Sequence, residues 1–314
     1  MTPGRSCPPH YGYSPRVFAR APDLSAEVVY AVGGLYGNLD ALDAIEALAA
    51  REKLEPRLVF NGDFHWFDAE PGLFAEVQRR VSLHTALRGN VETELAAADS
   101  AAGCGCAYPD SVGPAEVKRS NTILARLKTV AQVGGYGPAL AALPPHALAR
   151  VGEASIAIVH GDAWSLAGWR FAHDALHEGE ELGLGAALEL AAVNGFACSH
   201  TCAPALKALE RGFVVNNGAA GMANFAHTPG GVITRLACRP LPAALAPYRL
   251  YGLVEAGLWV DALRVDFDLG AWIARFDSIW PAGSAAALSY RERLVRGPGF
   301  SIAQALGRER ATCG

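Results

Sequence analysis

Short apolar runs that end in glycine beside a polar residue alternate along this chain with stretches where apolar residues recur every three or four positions. Val28 to Val32 runs into Gly33 and Gly34, and Leu39 to Ala50 then carries helical spacing. Arg57 to Phe60 ends in Asn61, Gly62 and Asp63 and is followed by a helix over Pro71 to Val81; Leu83 to Leu87 ends in Arg88, Gly89 and Asn90. Strand, loop and helix thus repeat, and the strands deliver polar residues at their carboxyl ends. In open α/β sheets ligands bind on that side.

After a Gly, Ala and Cys-rich loop at Ala101 to Pro114, a helix is predicted over Ala115 to Ala131. The second half reads as more β-rich. Ser155 to Val159 leads into His160, Phe196 to Ser199 into His200, and Phe213 to Val215 into Asn216, Asn217 and Gly218. Strands follow at Val232 to Leu236, Leu250 to Val254 and Leu258 to Val265, then helices at Ala271 to Ile279 and Ala285 to Val295. Residues 1–27 lack periodicity and read as an arm lying on the surface or over a neighbour; residues 28–314 read as one domain with the C-terminal helices packed on it.

Composition narrows the picture modestly. A chain of 314 residues, 51% hydrophobic, can bury a large core. A net charge of -4 gives no general attraction to nucleic acid or to anionic membranes. Met1 to His10 has no apolar run of signal-peptide length and no later run is long enough to span a membrane, so the expected location is the cytoplasm. Seven scattered cysteines do not make a disulfide framework.

The strand ends supply Asp63, Asn90, His160 and His200, in the contexts NGDFHW, RGNVET, VHGDAW and CSHTCAP. Carboxylate, amide and imidazole groups suit borderline divalent ions such as zinc, manganese and iron. In order and context these residues resemble the calcineurin-like metallophosphoesterase family, whose signature runs Asp-x-His, Gly-Asp, Gly-Asn-His-Glu or Gly-Asn-x-Asp, His, Gly-His-x-His. The similarity spans about residues 28 to 222 and includes Gly37–Asn38 and the NNGAAG that follows Val215. It implies a four-layer αββα sandwich. It also implies that Asp63, Asn90, His160 and His200 hold one metal of a pair, with Asp63 as the carboxylate that bridges the two.

The departures from that signature fall on the other metal. Gly34 and Tyr36 stand where Asp-x-His is expected, Cys202 replaces the last histidine, and Val91 replaces the histidine that commonly protonates the leaving group. The resemblance therefore implies one divalent ion, with a second only in a rebuilt site.

Several residues carry two readings each. His65 is a catalytic candidate beside Asp63, as replacement ligand, phosphate contact or general acid, or else a loop histidine bonded to backbone. Cys104, Cys106 and Cys202 form a thiolate cluster for a softer metal or, as the favoured reading, unreactive thiols. Gly33 to Asn38, with Gly34 and Asn38 as substrate contacts, is a backbone cradle for phosphate or merely a tight turn. Arg88 contacts an anionic substrate or pairs structurally. Trp66, Trp164 and Trp169 wall a pocket or belong to the core.

Two functions follow from the resemblance. One is a metal-dependent phosphoric ester hydrolase acting on a phosphorylated small molecule or a phosphoprotein, with Asp63 at the reacting centre. The other is a metal- or phosphate-binding regulatory module that has lost turnover.

Overall fold

The computed structural model describes residues 2–98, 101–177 and 183–308. Two six-stranded sheets stand face to face. The first runs in the order β11 (Arg249–Glu255), β12 (Leu258–Val265), β10 (Gly231–Ala237), β2 (Val28–Val32), β3 (Arg57–Asn61), β4 (Thr85–Leu87). The second runs β1 (Leu24–Ala26), β5 (His146–Val151), β6 (Ala154–Val159), β7 (Gly195–Cys198), β9 (Phe213–Asn216), β8 (Ala205–Ala208). Strands β2, β3 and β4 are mutually parallel, as are β6, β7 and β9.

Strand β2 shows why its sequence is apolar at every position. Val28, Tyr30 and Val32 point to the helices, while Val29 and Ala31 point to the other sheet, and all five are buried. Each of its three valines contributes roughly 1.5–3 kcal/mol by leaving water, so a strand buried on both faces anchors the sandwich. Ile156, Ile158, Ala197 and Val215 of the second sheet meet it across the interface.

Helices α1 (Leu39–Ala49), α2 (Pro71–Val81), α3 (Asn90–Ala96), α4 (Pro114–Val133) and α5 (Gly137–Ala141) lie on the outer side of the first sheet. Helices α6 (His173–His177) and α7 (Leu184–Ala191) cover the second. Helices α8 (Leu269–Ile279) and α9 (Ala285–Arg296) join the first group through Trp272, Phe276 and Leu294. The short α10 (Ile302–Ala305) packs at the edge of the sheet interface through Ala305. The layers are helix, sheet, sheet, helix, as expected from the sequence. Among the described residues, no helix is long and apolar enough to cross a membrane.

Residues 2–27 are built into this domain. Strand β1 pairs in parallel with β5 at the edge of the second sheet. Upstream, Gly4 N donates to Ala102 O, and the Arg5 guanidinium donates to Pro109 O at 2.6 Å and Val112 O at 2.5 Å. Tyr11 O accepts from Leu166 N, and its hydroxyl donates to Glu94 Oε1 at 2.6 Å. The segment therefore straps the 101–112 and 161–169 loops together. Removing a buried hydrogen bond to a carboxylate costs roughly 1.5–3 kcal/mol. Tyr11→Phe should lower unfolding free energy by about that much in a urea titration, and an unchanged midpoint would show that the strap adds nothing to stability.

Candidate metal centre

The carboxyl ends of β3, β4, β6 and β7 meet at one edge of the sandwich. Asn61, the last residue of β3, joins the sheets there by donating its side-chain amide to Val159 O at 2.8 Å. The chain then turns through Gly62, at φ 78°, and Asp63, at φ 52°. A Cβ at Gly62 would lie 2.6 Å from His160 Nδ1, and one at Gly89 would lie 2.2 Å from Asp63 Oδ1. Glycine at these two positions lets the three loops close on one another.

Four side chains converge in the space so made. His160 Nε2 lies 3.1 Å from Asn90 Oδ1, 3.2 Å from His200 Nδ1 and 3.3 Å from Asp63 Oδ2. A backbone carbonyl orients each of the two rings and the amide. His160 Nδ1 is 2.8 Å from Asn61 O, His200 Nε2 is 3.0 Å from Cys106 O, and Asn90 Nδ2 donates to Cys104 O at 2.9 Å. With those hydrogens directed outward, the inward atoms of all four residues are lone pairs. Acceptors facing one another in a buried site are satisfied by a cation or a proton between them, and this donor set fits zinc, manganese or iron.

The electrostatics agree. Burial opposes ionisation of Asp63, yet His160 and His200 hold its carboxyl below the usual range. Burial, then the neighbouring His160, push His200 down to about 4, so the ring is neutral at physiological pH. Burial also acts to lower His160, but Asp63 outweighs it and raises the ring above its ordinary value. Behind them Glu92 accepts from Asp63 N and Gly89 N, both at 2.8 Å, which pins the two loops. Burial and Asp63 raise that carboxyl to about 7.

The companion position is filled by side chains. Tyr36 folds back over Gly34, and its hydroxyl lies 2.6 Å from Cys202 Sγ. Burial, then Cys202 and Asp63, raise the phenol well above its ordinary value, and burial raises the thiol as well. The pair is neutral and offers no anionic ligand. Tyr36 at φ 56° and Cys202 at φ 55° share with Asp63 the left-handed backbone that non-glycine residues seldom adopt. Three residues around the centre thus share a strained backbone, although only Asp63 belongs to the converging set.

Four readings from the sequence are corrected, those of His65, Asn38, the Gly33 to Asn38 turn and Arg88. His65 is fully buried, stacked on Phe74, with Nδ1 2.5 Å from Asp68 and Nε2 3.1 Å from Gln78, so it does not face the site. Asn38 caps α1 by accepting from Ala41 N and donates to Gly221 O, so its amide is spent on structure. The amides of Tyr36, Gly37 and Asn38 donate to Asp63 O, Phe64 O and Leu35 O, and the Tyr36 ring covers Gly34, which leaves no cradle for phosphate in this turn. Arg88 turns away to Ala141 O. The cysteines form no metal cluster: among the described residues, Asp63, His160 and His200 are the one group of three or more ligating His, Cys, Asp or Glu side chains. Cys104, Cys106 and Cys202 are free thiols.

The centre opens into a cleft of about 280 Å3 walled by Trp66, Tyr108, Trp169 and Tyr290, with Val91, Glu116 and Arg293 also on its surface. Trp66 and Trp169 are therefore pocket residues, whereas Trp164 packs on Phe171. Tyr108, Tyr290 and Arg293 carry no motif in the sequence, and only the packing of α9 on α4 brings the last two here. A larger depression of about 590 Å3, at the opposite ends of β3 and β4 beside Glu46 and Arg57, contains none of the four ligands.

No protein-family model matches the sequence, and no curated protein matches it. Solved structures do. A hypothetical protein from Pyrococcus horikoshii aligns over 87% of this chain and 99% of its own, with TM-score 0.58 and 16% identity. A metallophosphoesterase from Sphaerobacter thermophilus aligns over 86% of this chain and 100% of its own, with TM-score 0.52 and 16% identity. At that identity the likeness is one of fold, and it agrees with two six-stranded sheets flanked by helices. This chain has the calcineurin-like metallophosphoesterase fold, in a divergent form.

Proposed function

We propose that this chain is a phosphoric ester hydrolase working with a single divalent metal held by Asp63, Asn90, His160 and His200. The observation that supports it is the set of four inward lone pairs, three of them aimed by backbone carbonyls, at the floor of an open cleft. Such a metal supplies Lewis acidity and lowers the pKa of water. Asp63 stays ionised and offers a carboxylate to the ion and to a water proton. Tyr36 stays protonated beside Asp63, so its hydroxyl donates to a phosphoryl oxygen, a better acceptor than the Cys202 sulfur it now faces.

A second reading, a metal- or phosphate-binding module without turnover, draws support from Tyr36 and Cys202 filling the companion position and from the apolar Val91. Hydrolysis of p-nitrophenyl phosphate by manganese- or zinc-loaded protein separates the two. Activity that falls at least about a hundredfold in the near-isosteric Asp63→Asn is the expected result. Phosphate binding with no turnover at any metal would leave the module.

A further inference from the structure

Three features of the cleft bear jointly on what it takes, and the inference rests on the hydrolase reading above. The first is charge. Arg293 reaches in from α9, its Nη2 donating to Cys202 O at 2.6 Å and its Nε to Ala223 O at 3.3 Å. These bonds fix the guanidinium against the residue that stands where a histidine of the other metal is expected. Its positive charge therefore lies beside that position, without a metal.

The second is the position where the resemblance expects the leaving-group acid. Val91 occupies it, buried against the cleft and without a proton to give, and the Tyr36 hydroxyl is engaged 2.6 Å from Cys202 Sγ at the companion position. A poor leaving group such as an alkoxide departs slowly without such a donor. A leaving group that departs as a stable anion needs no such donor. The third is the wall. Trp66 stands edge-on to Tyr290 with centroids 6.4 Å apart, and Tyr108 is tilted against Trp169 at 5.9 Å. Two aromatic pairs around about 280 Å3 suit one planar ring and its phosphate.

We propose that the cleft binds phenolic phosphomonoesters, with the phosphate dianion between the Asp63, Asn90, His160 and His200 site and Arg293, and the ring against the aromatic walls. In the reaction the water oxygen bonds to phosphorus as the bond from phosphorus to the phenolic oxygen breaks. The electron pair leaves on the phenolate, and both water protons stay on the phosphate product. Arg293 is a specificity residue here: it compensates phosphate charge that a second ion would otherwise meet.

The test uses non-hydrolysable probes, so it reads binding apart from turnover. Phenylphosphonate and methylphosphonate are titrated calorimetrically into zinc-loaded protein. The expected result is that phenylphosphonate binds about tenfold tighter or more, because only it meets the rings. Arg293→Gln should weaken both probes at least about tenfold at unchanged zinc content, and Arg293→Lys should recover part of that loss. Equal affinity for the two phosphonates overturns the assignment, as does an Arg293→Gln protein that binds them like the wild type. The wild-type comparison needs no variant, so a misfolded Arg293→Gln protein does not decide the matter. Failure of the hydrolase reading looks different: phosphonate preference intact, with no phosphate ester turned over.

Discussion

Protein purified without added metal or an affinity-tag metal is expected to carry close to one divalent ion per chain, and Asn90→Ala is expected to carry almost none. The reason lies in how little of the site is free to relax. Asp63, Asn90, His160 and His200 are all buried, and the inward atoms of the other three lie 3.1 to 3.3 Å from His160 Nε2. Loss of groups that merely orient a metal ligand costs about 10–100-fold in affinity, so loss of a ligand should exceed about a hundredfold. Asn90→Ala removes a neutral oxygen without leaving an uncompensated charge, but it also frees Cys104 O, so the fold of the variant is checked beside its metal. Elemental analysis with a circular dichroism check decides it. A content near two would mean that Tyr36 and Cys202 accept a second ion, and none in the wild type would leave four converging acceptors held by protons alone. Binding should also weaken as pH falls, because His160, raised by Asp63, must lose its proton to ligate.

What the sequence made legible divides along a physical line. Strand β2 and helix α2 were read with their observed bounds because one is apolar throughout and the other opens on a proline and keeps helical spacing to Val81. The convergence of Asp63, Asn90, His160 and His200 was legible because each follows a strand beside a glycine or small residue, a constraint that leaves a local mark. Strand β5, with its polar His146 and Arg150, was missed, and so was β1, a three-residue edge that exists only through pairing with β5. His65 misled for a related reason. Two residues from Asp63 it carried a catalytic reading beside a structural one, but the left-handed turn at Gly62 and Asp63 sends its ring toward Asp68 and Phe74. Arg293 and Tyr290 belong to the cleft by tertiary packing, which no local pattern announces.

Building a second metal position is the other change with a large expected effect, and the structure dictates the order of substitutions. Gly34→Asp alone should fail, because a Cβ at Gly34 would sit 2.2 Å from Tyr36 Cζ and 2.5 Å from its hydroxyl oxygen. Tyr36→His clears that space, and histidine is among the residues that tolerate the left-handed backbone that Tyr36 occupies at φ 56°. Cys202, at φ 55°, accepts histidine on the same ground. The triple variant Gly34→Asp, Tyr36→His, Cys202→His should then take up a second ion, with Asp63 placed to bridge, and raise hydrolysis of p-nitrophenyl phosphate by about a hundredfold or more. Metal analysis and initial rates on the single, double and triple variants would show the gain arriving only when Tyr36 has gone. If the folded triple variant still holds one ion, the three side chains are not what keeps the second metal out. The guanidinium of Arg293, bonded to Cys202 O, is then the remaining obstacle, and Arg293→Gln added to the triple variant should admit the ion.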